Sequence, residues 1–169
     1  MALVQLFREC GYSAGSQIPL APRIPLAALA GTIGRFVSGW LLDQGLSCGL
    51  PVLLAALCGF CGDALLLGAQ DQSGYIAGQL RLGSAGGLYW PAVELAVPLC
   101  SAPVPSARGY ALSRTADAAG VASGTLTGAV LAQLGHLRGV YLVDMSAVVA
   151  LAALLLWRPL PRALQVGRS

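Results

Sequence analysis

Seven charged side chains stand inside or at the edges of long apolar stretches: Arg35, Asp63, Arg81, Glu94, Arg114, Asp117 and Asp144. A charge at the centre of a bilayer costs about 2.5–3.5 kcal/mol on insertion scales, so such residues persist where a partner or a water-filled path receives them. The chemistry they offer is ion pairing, passage of a polar solute and carriage of protons. Asp63 lies well inside its apolar stretch and is a candidate proton carrier. Arg114 and Asp117 are spaced i, i+3, so they share a helix face and can pair. Arg35, Gly39 and Asp43 form one stripe at i, i+4, i+8. Arg81 and Glu94 stand near opposite ends of one stretch and need partners on other elements. Asp43, Arg108, Arg114 and Asp144 sit near stretch ends, where solvation or snorkelling also accounts for them. The candidate transport or cavity residues are thus Arg35, Asp63, Arg81, Arg114 and Asp117.

The elements that must position these groups are legible as five apolar spans. They run about Ile24 to Leu42, Leu50 to Ala69, Tyr75 to Leu99, Gly109 to Leu134 and Val140 to Trp157. Each is continuous and close to 20 residues or longer, which fits membrane helices; barrel strands would be about 10 residues of alternating polarity. Polar or Gly/Pro-rich breaks separate them: Asp43 to Gly49, Asp71 to Gly74, Ser101 to Arg108 and Gly135 to Gly139. The expected architecture is an all-α, polytopic transmembrane bundle of about five spanning helices over residues 24–157. A loop or helix remnant precedes it (1–23), and a basic tail follows (158–169). Gly83 and Gly87 on the third span, and Gly120, Gly124 and Gly128 on the fourth, recur every four residues. They make small-residue stripes on which helix backbones can approach closely.

Composition agrees. The chain has 169 residues, 56% hydrophobic and only 10% charged, where a soluble domain carries about 25% charged residues; mean hydropathy is +0.72. An ordinary soluble enzyme, a disordered chain and a disulfide scaffold are excluded. The net charge of +3 leaves no footprint for nucleic acid. The ten basic residues are all Arg, and there is no Asn, a bias of the kind a GC-rich genome imposes. Arg108, Arg158, Arg162 and Arg168 fall on one side of the layout, and Arg8, Arg23 and Arg138 on the other. That slight excess places the Asp43 loop and the tail in the cytoplasm. Residues 1–20 have no signal-peptide pattern. The five cysteines do not make a disulfide framework, and Cys58 and Cys61, although spaced C-x-x-C, lie in an apolar span without partners for a zinc site. Ser123 and His136 lack the motif of an intramembrane protease, and a chain without Lys has no P-loop. No cofactor, metal or enzymatic activity is expected.

Several motifs resemble those of the major facilitator superfamily of secondary transporters. Gly39-Trp40-Leu41-Leu42-Asp43 resembles its G-x-L-a-D-r signature after the second helix, with Gln44 where a basic residue is usual. Arg81 with Gly83, Gly86 and Gly87 resembles the Arg-plus-glycine motif of the fourth helix, followed by Trp90-Pro91. Glu94, Pro98, Arg108 and Gly109 resemble the E…P…RG link between helices four and five, and Leu137 to Tyr141 the start of the sixth. Gly120, Gly124 and Gly128 resemble the fifth-helix glycine motif of proton-driven antiporters, with Thr125 in place of its Pro. The resemblance covers about residues 24–156. It implies helices two to six of one six-helix half, the first half being favoured, in a bacterial plasma (inner) membrane. It implies alternating access for a small solute, with proton-coupled efflux as the expected direction. It also implies a cytoplasmic gate network of Gly39, Asp43, Glu94 and Arg108, and an Arg81 facing the cavity. Expected partners are the lipid bilayer, a small-molecule substrate, protons, and a second half or further copy of the chain. The alternative is a membrane fragment or subunit that transports nothing and acts only by pairing with another membrane chain.

Overall fold

The computed structural model describes residues 23–101 and 105–162, and these fold as five helices. They are α1 (Arg23–Asp43), α2 (Gly49–Gly68), α3 (Gln72–Ser101), α4 (Ser106–Gln133) and α5 (Gly139–Trp157). Each lies within three residues of a span read from the sequence. Among the described residues, the β-type pairing is one isolated antiparallel bridge, Ser47 to Arg162. Most of the expected N-terminal loop and the end of the basic tail, with Arg8 and Arg168, lie outside the described residues.

Two of the five, α2 and α5, are long and apolar enough to cross a membrane on length and composition alone. The others are also long, at 21, 30 and 28 residues, but carry more polar side chains. Arg35 and Asp43 interrupt α1, Arg81 and Glu94 interrupt α3, and α4 is rich in Ser, Thr and Gly besides Arg114 and Asp117.

The helix ends follow from local chemistry. At the start of α3 the Asp71 carboxylate accepts hydrogen bonds from the Gly74 amide at 3.0 Å and from the Ser73 hydroxyl, an N-cap arrangement that satisfies an orphan donor of the first turn. α4 ends at Gly135, whose φ of +74° lets the His136 amide reach back to the Leu131 carbonyl at 2.9 Å and its own amide reach Ala132 at 3.1 Å. That is the paired bonding of a glycine-terminated helix. Arg138 donates to the carbonyls of Leu67 and Ala69, both at 3.4 Å. It thus places a cation on the C-terminus of α2, where the helix dipole is negative.

α3 is the hub, packed against α1 on one side and α2 on another, while α5 lies on α2 and α4 on α3. The α1–α3 contact is made by backbone on backbone. A Cβ added at Gly83 would collide with the Ala27 carbonyl, and one at Gly87 with the Gly31 carbonyl. Gly34 faces Ser84 in the same way, at 2.7 Å. The seam is closed by a buried hydrogen bond from the Ser38 hydroxyl to the Leu88 carbonyl at 2.9 Å. α2 meets α3 where Gly62 abuts Leu82 and Gly78 abuts Leu66. The buried core lies toward the end carrying the α1–α2 turn: Leu42, Cys48, Val52, Ala92, Ala96 and Leu155. The tail returns to that end, where the Cys48 amide bonds the Pro161 carbonyl at 3.0 Å and the Ser47 hydroxyl bonds Leu160 at 3.2 Å.

The glycines of α4 behave differently from those of α3. Among the described residues no atom lies within 4 Å of where a Cβ would stand at Gly120, Gly124 or Gly128, so their stripe packs on none of them. The physical reason is that α4 touches α3 mainly near its N-terminal half and has no buried residue. Large apolar side chains point outward on every helix, among them Phe36, Leu57, Leu95, Leu126 and Leu156.

Candidate functional site

The candidate solute site is a cavity of about 320 Å³ lined by Arg35, Trp90, Pro91, Glu94 and Arg114. Three helices build it. α1 supplies Arg35, α3 supplies Trp90, Pro91 and Glu94, and α4 supplies Arg114. The α1–α3 glycine seam holds the Arg35 turn against α3. The α3–α4 hairpin sets the rest, because Glu94 and Arg114 each stand about two turns from the intervening link. They therefore reach the same height and pair, Nη2 to Oε1, at 3.2 Å. The Arg114 guanidinium also lies over the Trp90 ring, 4.8 Å from its centroid, a distance at which the ring's quadrupole attracts a cation. From α4 the Tyr110 hydroxyl donates to the Glu94 backbone carbonyl at 3.0 Å.

The cavity therefore holds two guanidinium groups and one carboxylate. Arg114 and Glu94 are about half exposed, 57% and 54%, so their pair is worth at most about 1 kcal/mol. It can open to admit a ligand at small cost. The Arg35 guanidinium forms no ion pair among the described residues. Such a pocket can bind a negatively charged group at Arg35 while the Trp90 face covers an apolar body.

The other residues singled out in the sequence are distributed as follows. Arg114 and Asp117 share a face of α4 but do not pair: Arg114 goes to Glu94, and Asp117 lies within electrostatic reach of Tyr89 on α3. Asp43, Glu94 and Arg108 are not joined in one network. The register set by Gly31 against Gly83 and Ser38 against Leu88 brings Asp43 near the height of Glu94, but two acids do not attract, and Arg108 sits in the first turn of α4, below that height. Gly39 faces open space. The Arg81 side chain is exposed, and its guanidinium joins no ion pair or hydrogen bond among the described residues. Asp63 is 1% exposed, between α2, α3 and α5.

Two features escaped sequence reading. Trp90 and Pro91 line the cavity, though the sequence presents them only as a motif sequel; a large aromatic one turn before an embedded acid was the available signal. Asp144, readable as a solvated span end, reaches Asp63 from the neighbouring helix. No spacing rule reports a contact between residues some eighty positions apart. Among the described residues no group of three or more His, Cys, Asp or Glu side chains is placed to hold a metal. The turn His136 hydrogen-bonds the Leu134 carbonyl at 2.9 Å, and the Ser123 hydroxyl bonds Gly120 at 3.0 Å, each within its own segment.

No protein-family model, curated protein or solved structure matches the chain.

Proposed function

We propose that the chain is a helical permease of the major facilitator kind, embedded as a multi-pass bundle in a bacterial plasma membrane and moving a small anionic solute by alternating access. The observation that carries this reading is the cavity in which α1, α3 and α4 converge Arg35, Glu94, Arg114 and Trp90. Two cations against one acid favour an anion. A weak, half-exposed Glu94–Arg114 pair is a latch that an incoming anion can exchange for itself, and differential binding of this sort shifts a two-state equilibrium.

The membrane part of the proposal is supported by surface chemistry. Phe36 is 77% exposed, Leu126 67% and Leu156 74%, and they stand among some two dozen exposed large apolar side chains spread over all five helices, more than a soluble monomer ordinarily leaves uncovered. Hydrocarbon chains or neighbouring helices cover them at no hydrophobic cost. The unpacked faces of α4 and α5 leave room for a second half or a second copy, which a two-sided pathway requires. The same faces favour one alternative, a subunit that serves only as a partner for another membrane chain.

The test is uptake of labelled small organic anions by liposomes containing the full chain, with and without a proton gradient. Losing a charge-assisted hydrogen bond costs about 1.5–3 kcal/mol, so Arg35→Ala should weaken anion binding by roughly tenfold to a hundredfold. Saturable uptake that is lost in Arg35→Ala supports the reading. Absence of uptake for every anion, with tight pairing to another membrane chain, favours the alternative.

A further inference from the structure

Asp63 is the buried acid of this bundle: among the described residues it and Ser38 are the polar side chains sealed from solvent, at 1% and 0% exposure. Ser38 is satisfied by Leu88. Asp63 is not, since its Oδ2 is buried without a hydrogen-bond partner. The Asp144 carboxyl, across the α2–α5 contact, is within electrostatic and hydrogen-bonding reach. One turn further along, a Cβ added at Gly59 would stand 3.9 Å from Val148 Cγ2, so the two helices run side by side at this level.

As two carboxylates, this pair has acceptors only. It cannot form a hydrogen bond, and two like charges repel where one of them is sealed from solvent. One proton changes both facts: it supplies the missing donor and leaves the pair with a single negative charge. The other titratable or charged groups near this level are Arg81, Tyr75, Tyr141, Arg138 and Cys61. On α3, Arg81 is exposed with its guanidinium unpaired among the described residues, and Tyr75 lies at that helix's start. On α5, Tyr141 precedes Asp144 by one turn, and Arg138 is engaged with the carbonyls ending α2. On α2 itself, Cys61 is a free thiol.

We propose that Asp63 and Asp144 form a proton-binding site between α2 and α5, in which the two carboxyl groups share one proton. The proton is taken from hydronium, forming a carboxyl O–H bond and releasing water, and is returned by the reverse step. Asp144 is exposed and Asp63 is sealed, so Asp144 is the group that exchanges with the outside and Asp63 the one that retains the proton. The site lies on the opposite flank of α3's partners from the Arg35 cavity and is separate from it. Its use to couple a proton gradient to solute movement rests on the transport reading; its existence does not.

The experiment is infrared spectroscopy of the full chain in liposomes, following the carbonyl stretch of protonated carboxylic acid across a pH titration. A band present near neutral pH in the native chain, lost in both Asp63→Asn and Asp144→Asn while helical content by circular dichroism is unchanged, supports the proposal. Should Asp63→Asn fail to fold, Asp144→Asn at the exposed position carries the test alone. A native chain without the band near neutral pH, or a band that survives Asp144→Asn, overturns it. Flux measured on the same liposomes separates the two claims: the band without uptake of any anion leaves the proton site standing and removes the transport reading, and uptake indifferent to the gradient removes only the coupling.

Discussion

Gly87→Ala is the sharpest probe of the bundle. The added methyl group would collide with the Gly31 carbonyl oxygen and stand 2.9 and 3.0 Å from the Gly31 carbonyl carbon and Cα. All three obstacles are backbone, so no rotamer change relieves them, and α1 and α3 must move apart by about 1 Å. A gap of that order forfeits roughly a quarter to a half of the dispersion attraction across the affected contacts, and overpacking of this kind costs about 1–3 kcal/mol. Alanine returns up to about 1 kcal/mol through its better helix propensity. The expected net loss therefore lies between about zero and 3 kcal/mol. Gly124→Ala is the matched control, since nothing lies within 4 Å of its added methyl; there the propensity gain stands alone, and the chain should be unchanged or stabilised by up to about 1 kcal/mol. The assay is denaturation of the purified chain in mild detergent, followed by helical circular dichroism. Equal midpoints for the two variants, or a more stable Gly87→Ala, would refute the backbone seam between α1 and α3.

Two further outcomes are expected. Ser38→Ala removes the buried donor to the Leu88 carbonyl and should cost about 0.5–1.5 kcal/mol in the same assay; an unchanged midpoint would count against the bond. The Asp71 carboxyl is held below its ordinary range by hydrogen bonds from Ser73 and then from the Gly74 amide. A lowered acid contributes stability that is complete above its ordinary value, about 3.9, and is lost as pH falls through the lower folded one. The first turn of α3 should thus loosen only in strong acid. The Gly74 amide resonance reports it, shifting below about pH 4 in the native chain and staying flat in Asp71→Asn; an amide indifferent to acid in the native chain would count against the cap.

The sequence by itself determined the five helices and nearly all of their ends. Long, mostly apolar runs favour the helix, in which the backbone pairs its own amides, and Asp71, Gly135 and the polar breaks mark where that pairing stops. It also named most of the charged groups that matter, because a charge in an apolar run is conspicuous. What it could not determine was which of them meet. Periodicity along one helix suggested Arg114 with Asp117, yet Arg114 turns to Glu94, because the α3–α4 hairpin brings those two to one height and places Trp90 beneath the guanidinium. Two glycine stripes of equal spacing also met different fates. Gly83 and Gly87 are pressed against α1, while Gly120, Gly124 and Gly128 face outward. Spacing fixes which residues share a face; only the rotation of each helix about its axis and its register against its neighbours decide what that face touches. Asp63 and Asp144 meet for this reason, and the contact is a property of the packed bundle rather than of either helix.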